Sequence, residues 1–239
     1  MRSTPKILSS TKPVLYETGY ADWPYAFAGS CFPIRWGRKL YIVSAYHCYE
    51  NHQVKPEDTL YPLPEDDWRF LGFCSKTRGK DRESLDSKHH DQIVIEVCAN
   101  LHPARELESV EAIDVSKPNG TISLDDPSLK DVWLRGYMFA NPEHKIDYEE
   151  GKISQQAYVT NGVVSSRRSL FEHCHMLKVK TPCPKACSPK GMSGSPVYGE
   201  DSDGNVKYAG TVIEFNSHTD EYLIIDFSIL VETLRSANA

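Results

Sequence analysis

Apolar residues in this chain come in short runs, many of them alternating with polar residues and separated by clusters of turn formers. The runs AFAGSCFPIRW (26–36), KLYIVSA (39–45), QIVIEVC (92–98), DVWLRGYM (131–138) and QAYVTNGVV (156–164) predict strands, as do HMLKVK (175–180), SPVYG (195–199), KYAGTVIEF (207–215) and EYLIID (221–226). They are rich in Val, Ile, Tyr and Phe, which suit a pleated, half-buried surface. Only DFSILVETLRSANA (226–239) has a helical period, with apolar residues at 227, 229, 230, 231 and 234, and it predicts a closing C-terminal helix. Many short strands and one terminal helix predict an all-β protein of barrel or sandwich type. The turn-rich stretch DVSKPNGTISLDDPS (114–128) is the best connector between two lobes, 1–115 and 116–239. The charged stretch CSKTRGKDRESLDSKHH (74–90) reads as a surface loop.

Composition narrows the classes of partner. With 239 residues, 40% hydrophobic and 25% charged, the chain suits one large β domain or two lobes of about a hundred residues each. A net charge of −6 supplies no general positive field, so neither nucleic acid nor a membrane surface is an expected partner. The basic tract KTRGKDR (76–82) is followed at once by acidic residues and reads as solvated. The opening MRSTPKILSSTKPVLYETGY has no apolar core of the kind export requires. Together with seven cysteines, an odd number, this predicts free thiols and a cytoplasmic location.

The candidate chemistry starts at KGMSGSPVYG (190–199), with two serines set among glycines. Glycine and serine form ordinary turns. They also suit a nucleophile turn, because Gly191 and Gly194 permit backbone conformations that aim neighbouring N–H groups into one small cavity. Ser193 would then present its hydroxyl beside the N–H of Gly191 and its own N–H, a candidate oxyanion hole. A hydroxyl needs a base. His47, in IVSAYHCY, follows an apolar strand at a corner that would hold its ring rigidly yet within reach. A lone histidine there is more often structural, as is a lone aspartate before a strand. Asp91, opening DQIVIEV, is the candidate acid to orient the ring and stabilise its charged form.

Taken together, VSAYHC, DQIVIEV and GMSGSP resemble the chymotrypsin-like (trypsin-like) serine proteases, in that family's order of His, Asp, Ser. The supporting stretches AFAGSCF, WLRGY and AGTVIEFNS extend the resemblance over about residues 20–235. It implies two six-stranded antiparallel β-barrels with the site between them and a serine endopeptidase acting through an acyl-enzyme. His47, Asp91 and Ser193 would be its triad, and Ser195 would belong to the following strand. No metal or cofactor is implied. The expected partner is a protein or peptide substrate, with a regulatory partner possible. The other reading is a catalytically silent peptide-binding module on the same fold. Met192 stands where digestive members have an aspartate that pairs with a new N-terminus, so that activation route is closed. The resemblance puts the specificity pocket near Cys187 and along the cleft strand, at Thr211, Ile213 and Glu214. It also implies a disulfide between Cys31 and Cys48, against which the odd cysteine count argues. In HCHMLKVKTPCPKAC (173–187), zinc ligation by Cys174, Cys183 and Cys187 with the histidines is opposed by strand alternation, which turns His173 and His175 to one face and Cys174 to the other.

Overall fold

The computed structural model describes residues 5–55, 58–63, 70–79, 88–139, 145–147, 152–154, 156–181 and 188–238. The first half contains strands β1 (Lys12–Glu17), β2 (Tyr25–Trp36) and β3 (Lys39–Ala45), the short helix α1 (His47–Glu50), then β4 (Thr59–Leu60), β5 (Phe73–Arg78) and β6 (Gln92–Val97). Helix α2 (Ala104–Ser109) and β7 (Ile113–Asp114) complete it. The second half carries β8 (Asp131–Gly136), β9 (Lys145–Asp147), β10 (Lys152–Ser154), β11 (Tyr158–Arg168), β12 (Cys174–Val179), β13 (Pro196–Glu200), β14 (Val206–Asn216), β15 (Glu221–Asp226) and helix α3 (Phe227–Ala237). The protein is mostly β, as expected.

The two halves are not equivalent. Strands β8 and β11–β15 close a six-stranded antiparallel barrel in the order β11-β12-β15-β14-β13-β8. The first half is a seven-stranded sheet in the order β4-β1-β2-β3-β6-β5, with β7 added parallel to β2. This departs from the expected second closed barrel. The sheet curls, but among the described residues its edges meet only where the Leu71 N–H donates to the Tyr61 carbonyl at 2.9 Å and Pro62 bridges Phe70. Strand β4 has two residues, too few for a full ladder.

Burial explains the patterning. In KLYIVSA, Leu40, Ile42 and Ala45 enter the cluster inside the first sheet, whereas Tyr41 and Val43 enter a second cluster. Ile93, Ile95 and Val97 of β6 share the inner cluster, and Val94 the outer one. The outer cluster includes Trp133, Tyr198 and Tyr208 of the barrel and Leu230 and Leu234 of α3. The first sheet is therefore covered on both faces, which is why its central strands read as nearly continuous apolar runs. Asp226 caps α3, its Oδ1 accepting the Ser228 N–H at 2.9 Å.

Six strands escaped the sequence reading: β1, β4, β5, β7, β9 and β10. The start of the charged stretch 74–90 is β5, an edge strand paired to β6, and its largely exposed side chains show no apolar face. Residues 80–87 of that stretch lie outside the described residues. Strand β1 was hidden by Pro13 in a run of only three buried residues.

Candidate active site

Strand register builds the first part of the site. Strands β3 and β6 pair antiparallel with Ala45 opposite Gln92, so the residues just past β3 meet those just before β6. The Tyr46 N–H donates to the Asp91 carbonyl at 2.8 Å, and the His47 N–H to Asp91 Oδ1 at 3.0 Å. The His47 ring turns back so that Nδ1 lies 2.9 Å from both carboxylate oxygens. Two of these contacts depend on backbone already fixed by the ladder, so the pair is held without a long side-chain search. The Arg78 guanidinium stacks 3.5 Å over the Tyr46 ring and steadies the same corner.

The electrostatics follow from this contact. Burial of the His47 ring works against its charged form, but the hydrogen bond it donates to Asp91, helped by the neighbouring Cys48, outweighs it and raises the ring pKa above the ordinary 6.5. With the carboxylate at Nδ1, the Nδ1–H tautomer is favoured and the lone pair of the neutral ring sits on Nε2.

The second part is the turn 189–194. Gly191 has φ +98° and Gly194 φ +84°, the left-handed region where a Cβ is strained. A Cβ on Gly191 would come within 2.5 Å of the Tyr137 carbonyl, and one on Gly194 within 2.0 Å of the Ser30 carbonyl. Most amides of the turn are occupied: Lys190 N–H donates to Ser188 Oγ, Met192 to Pro189 O, Gly194 to Val212 O and Ser195 to Met192 O. The Gly191 and Ser193 N–H groups donate to no described residue. The reason lies in trans-peptide geometry, which points C=O and N–H in opposite directions. The Lys190 carbonyl is held by the Phe139 N–H at 2.8 Å, and the Met192 carbonyl by the Ser195 N–H at 3.0 Å. The amides sharing those peptide planes, Gly191 and Ser193, are turned away from these partners. The Ser193 hydroxyl donates to the Ile213 carbonyl at 3.2 Å.

His47, Asp91 and Ser193 line one cleft of about 620 Å³, together with Tyr46, Lys190 and Phe215. Ile213 and Glu214, two of the residues expected to bind substrate, also line it, and Glu214 is half exposed with Lys88 Nζ 3.7 Å away. Thr211 does not. It is fully buried, its hydroxyl accepting from Gln92 Nε2 at 3.0 Å and paired with the Tyr208 hydroxyl at 2.6 Å, so it ties the two halves together. Cys187 lies outside the described residues. Ser195 is sealed in the barrel, its hydroxyl against Gly136, and cannot reach the cleft. Met192 is an apolar plug in the barrel core.

The five described cysteines are free thiols. Cys31 donates to the Pro13 carbonyl and Cys48 to the Ser193 carbonyl, both at 3.7 Å, so the implied Cys31–Cys48 disulfide is absent. The residue facing Cys48 is Gly29, on which a Cβ would lie 2.4 Å from the sulfur. Cys174 is buried, while His175 packs against Asp226 and Asp125. Cys183 lies outside the described residues, as Cys187 does.

The sequence reading overlooked Ser30, Ser44 and Gln92, all fully buried. Their signal was available: each is a polar residue in or at the edge of an apolar strand, where a group that cannot face water needs a partner. The chain matches no protein-family model and no curated protein sequence.

Proposed function

We propose that this protein is a serine endopeptidase of the chymotrypsin-like class. One arrangement carries the reading: a histidine hydrogen-bonded to an aspartate shares a cleft with a serine whose turn offers two amide hydrogens that no described residue accepts. In the proposed reaction the Ser193 hydroxyl attacks a peptide carbonyl while His47 Nε2 takes its proton. The Gly191 and Ser193 N–H groups stabilise the oxyanion, and Asp91 holds the ring tautomer and the imidazolium. His47 returns the proton to the departing amine, and water releases the acyl-enzyme by the same route. Ile213 and Glu214 contact the substrate. The substrate is a protein or peptide; since Met192 cannot form the ion pair of zymogen activation, the fold is either active as made or held off by a loop or a regulatory partner. Free thiols at the described cysteines suit a reducing compartment, and we assign the protein to the cytoplasm; none of the described helices is long and apolar enough to cross a membrane.

A fluorophosphonate that phosphonylates activated serines tests this reading. Labelling should persist in Ser195→Ala and disappear in Ser193→Ala; labelling that survives the loss of Ser193 would overturn it. One observation favours a second reading, a peptide-binding module that does not cut. The Ser193 hydroxyl is bonded to the Ile213 carbonyl, so attack requires it to rotate toward His47. Wild-type protein that binds peptides yet never reacts with the probe would select this alternative.

A further inference from the structure

Ser30 is fully buried in β2, where its neighbours Ala28, Cys31 and Phe32 are buried apolar residues. Its hydroxyl donates to the Gly191 carbonyl at 2.8 Å and accepts the Tyr137 N–H at 2.9 Å. Its N–H donates to the Ser193 carbonyl at 2.8 Å, and its carbonyl accepts the Ser44 hydroxyl at 2.7 Å. One residue of the first sheet therefore grips the serine turn at two points. It also grips the exit of β8, two residues before Phe139, whose N–H holds the Lys190 carbonyl. Every polar group of Ser30 is used, which offsets the cost of burying it.

We propose that Ser30 is a positioning residue for the oxyanion donors: its hydroxyl locks the segments 137–139 and 191–193 together and so sets the direction of the Gly191 and Ser193 N–H groups. This rests on the acyl-transfer reading above. It divides the site into two parts with different dependencies. The His47–Asp91 pair is built wholly within the first sheet by the β3–β6 ladder. The oxyanion donors belong to the second half, yet their aim is set by a hydroxyl from the first. Removing that hydroxyl strikes transition-state stabilisation and leaves the base alone.

The test is Ser30→Ala in the full chain. Wild-type protein should react with the fluorophosphonate, whereas folded Ser30→Ala should react about a hundredfold more slowly, the scale of losing one oxyanion donor. For a cleaved peptide kcat should fall similarly, KM should stay within about threefold, and the pH at which activity rises should not move, because the His47–Asp91 contact is untouched. A folded variant reacting at the wild-type rate overturns the proposal, as does a loss expressed in KM or in a displaced pH limb. Wild-type protein inert to the probe instead overturns the acyl-transfer reading itself. Should Ser30→Ala fail to fold, amide exchange in the wild type decides. The Tyr137 amide should exchange far more slowly than those of Gly191 and Ser193, and comparable rates overturn the proposal.

Discussion

Replacing Asp91 by Asn tests the proposed mechanism at its most specific joint. The carboxamide can keep its oxygen at the Oδ1 position, accepting the His47 N–H at 3.0 Å, so the local backbone survives. Its nitrogen then occupies the Oδ2 position, 2.9 Å from Nδ1, and donates where the carboxylate accepted. With a donor set against Nδ1 where the charged acceptor stood, the tautomer balance shifts toward a proton on Nε2, the atom needed as base. The charge is lost as well. A carboxylate in hydrogen-bond contact shifts an imidazole pKa by about 1–3 pH units, and solvent screening of a partly exposed ring limits its contribution to about 1–2 kcal/mol. In a Ser-His-Asp template this exchange lowers turnover about 10⁴-fold, or ~5.4 kcal/mol at 1.36 kcal/mol per decade. The charge therefore accounts for under half of the loss, and the wrong tautomer for the rest. The assay is kcat/KM, or the second-order phosphonylation rate, measured as a function of pH. Activity needs the neutral ring. Since the pKa of His47 is raised above 6.5, the wild-type rate should climb only on the alkaline side of that value. In Asp91→Asn the plateau should fall about 10⁴-fold and the limb should move down by about 1–2 pH units. A variant with the wild-type plateau, or with an unmoved limb, would refute the assigned role of Asp91.

Three other substitutions probe the frame around the site. Gly194→Ala should unfold readily, since its Cβ would lie 2.0 Å from the Ser30 carbonyl and 2.4 Å from the Ser44 hydroxyl at a left-handed φ. Urea denaturation should show a loss of more than about 3 kcal/mol. Thr211→Val should cost about 1–3 kcal/mol by stranding the Gln92 amide and the Tyr208 hydroxyl, while KM stays within about twofold because residue 211 is outside the cleft. A large KM change with unaltered stability would return Thr211 to the substrate site. His175→Gln tests a pH-linked contact: the hydrogen bond that His175 donates to Asp226 raises its pKa above 6.5 against the opposing effect of burial, with Asp125 adding to the rise. A raised folded-state pKa stabilises most below the unfolded value, and the gain vanishes as pH rises through the folded one. Urea midpoints should therefore separate wild type from His175→Gln in mild acid, by on the order of 1 kcal/mol, and converge in alkali.

The sequence alone determined the features that local pattern encodes. Period-two and continuous apolar runs marked the central strands, because side chains alternate faces and β2, β3 and β6 are buried on both. The helical spacing after Asp226 marked α3 for the same kind of reason. That His47, Asp91 and Ser193 would come together was also legible, and the three line one cleft, since glycine turns and strand corners limit what neighbouring side chains can do. Tertiary structure alone decided the rest. Strand β5 became a strand because β6 offered its edge, not because its exposed residues favour one. Whether the first sheet closes depends on the pairing of its most distant edges, which no short window encodes. Thr211 and Ile213 sit two residues apart on β14, yet one is locked behind the cleft by Gln92 and the other lines it, where the pairing with β15 is interrupted by a bulge. Ser30 shows the limit most plainly. In the sequence it is a small polar residue in an apolar strand, and its meaning lies in carbonyl and amide groups more than a hundred residues away. Hydrogen bonds are satisfied by proximity in space, and the chain acquires that proximity only when its two halves dock.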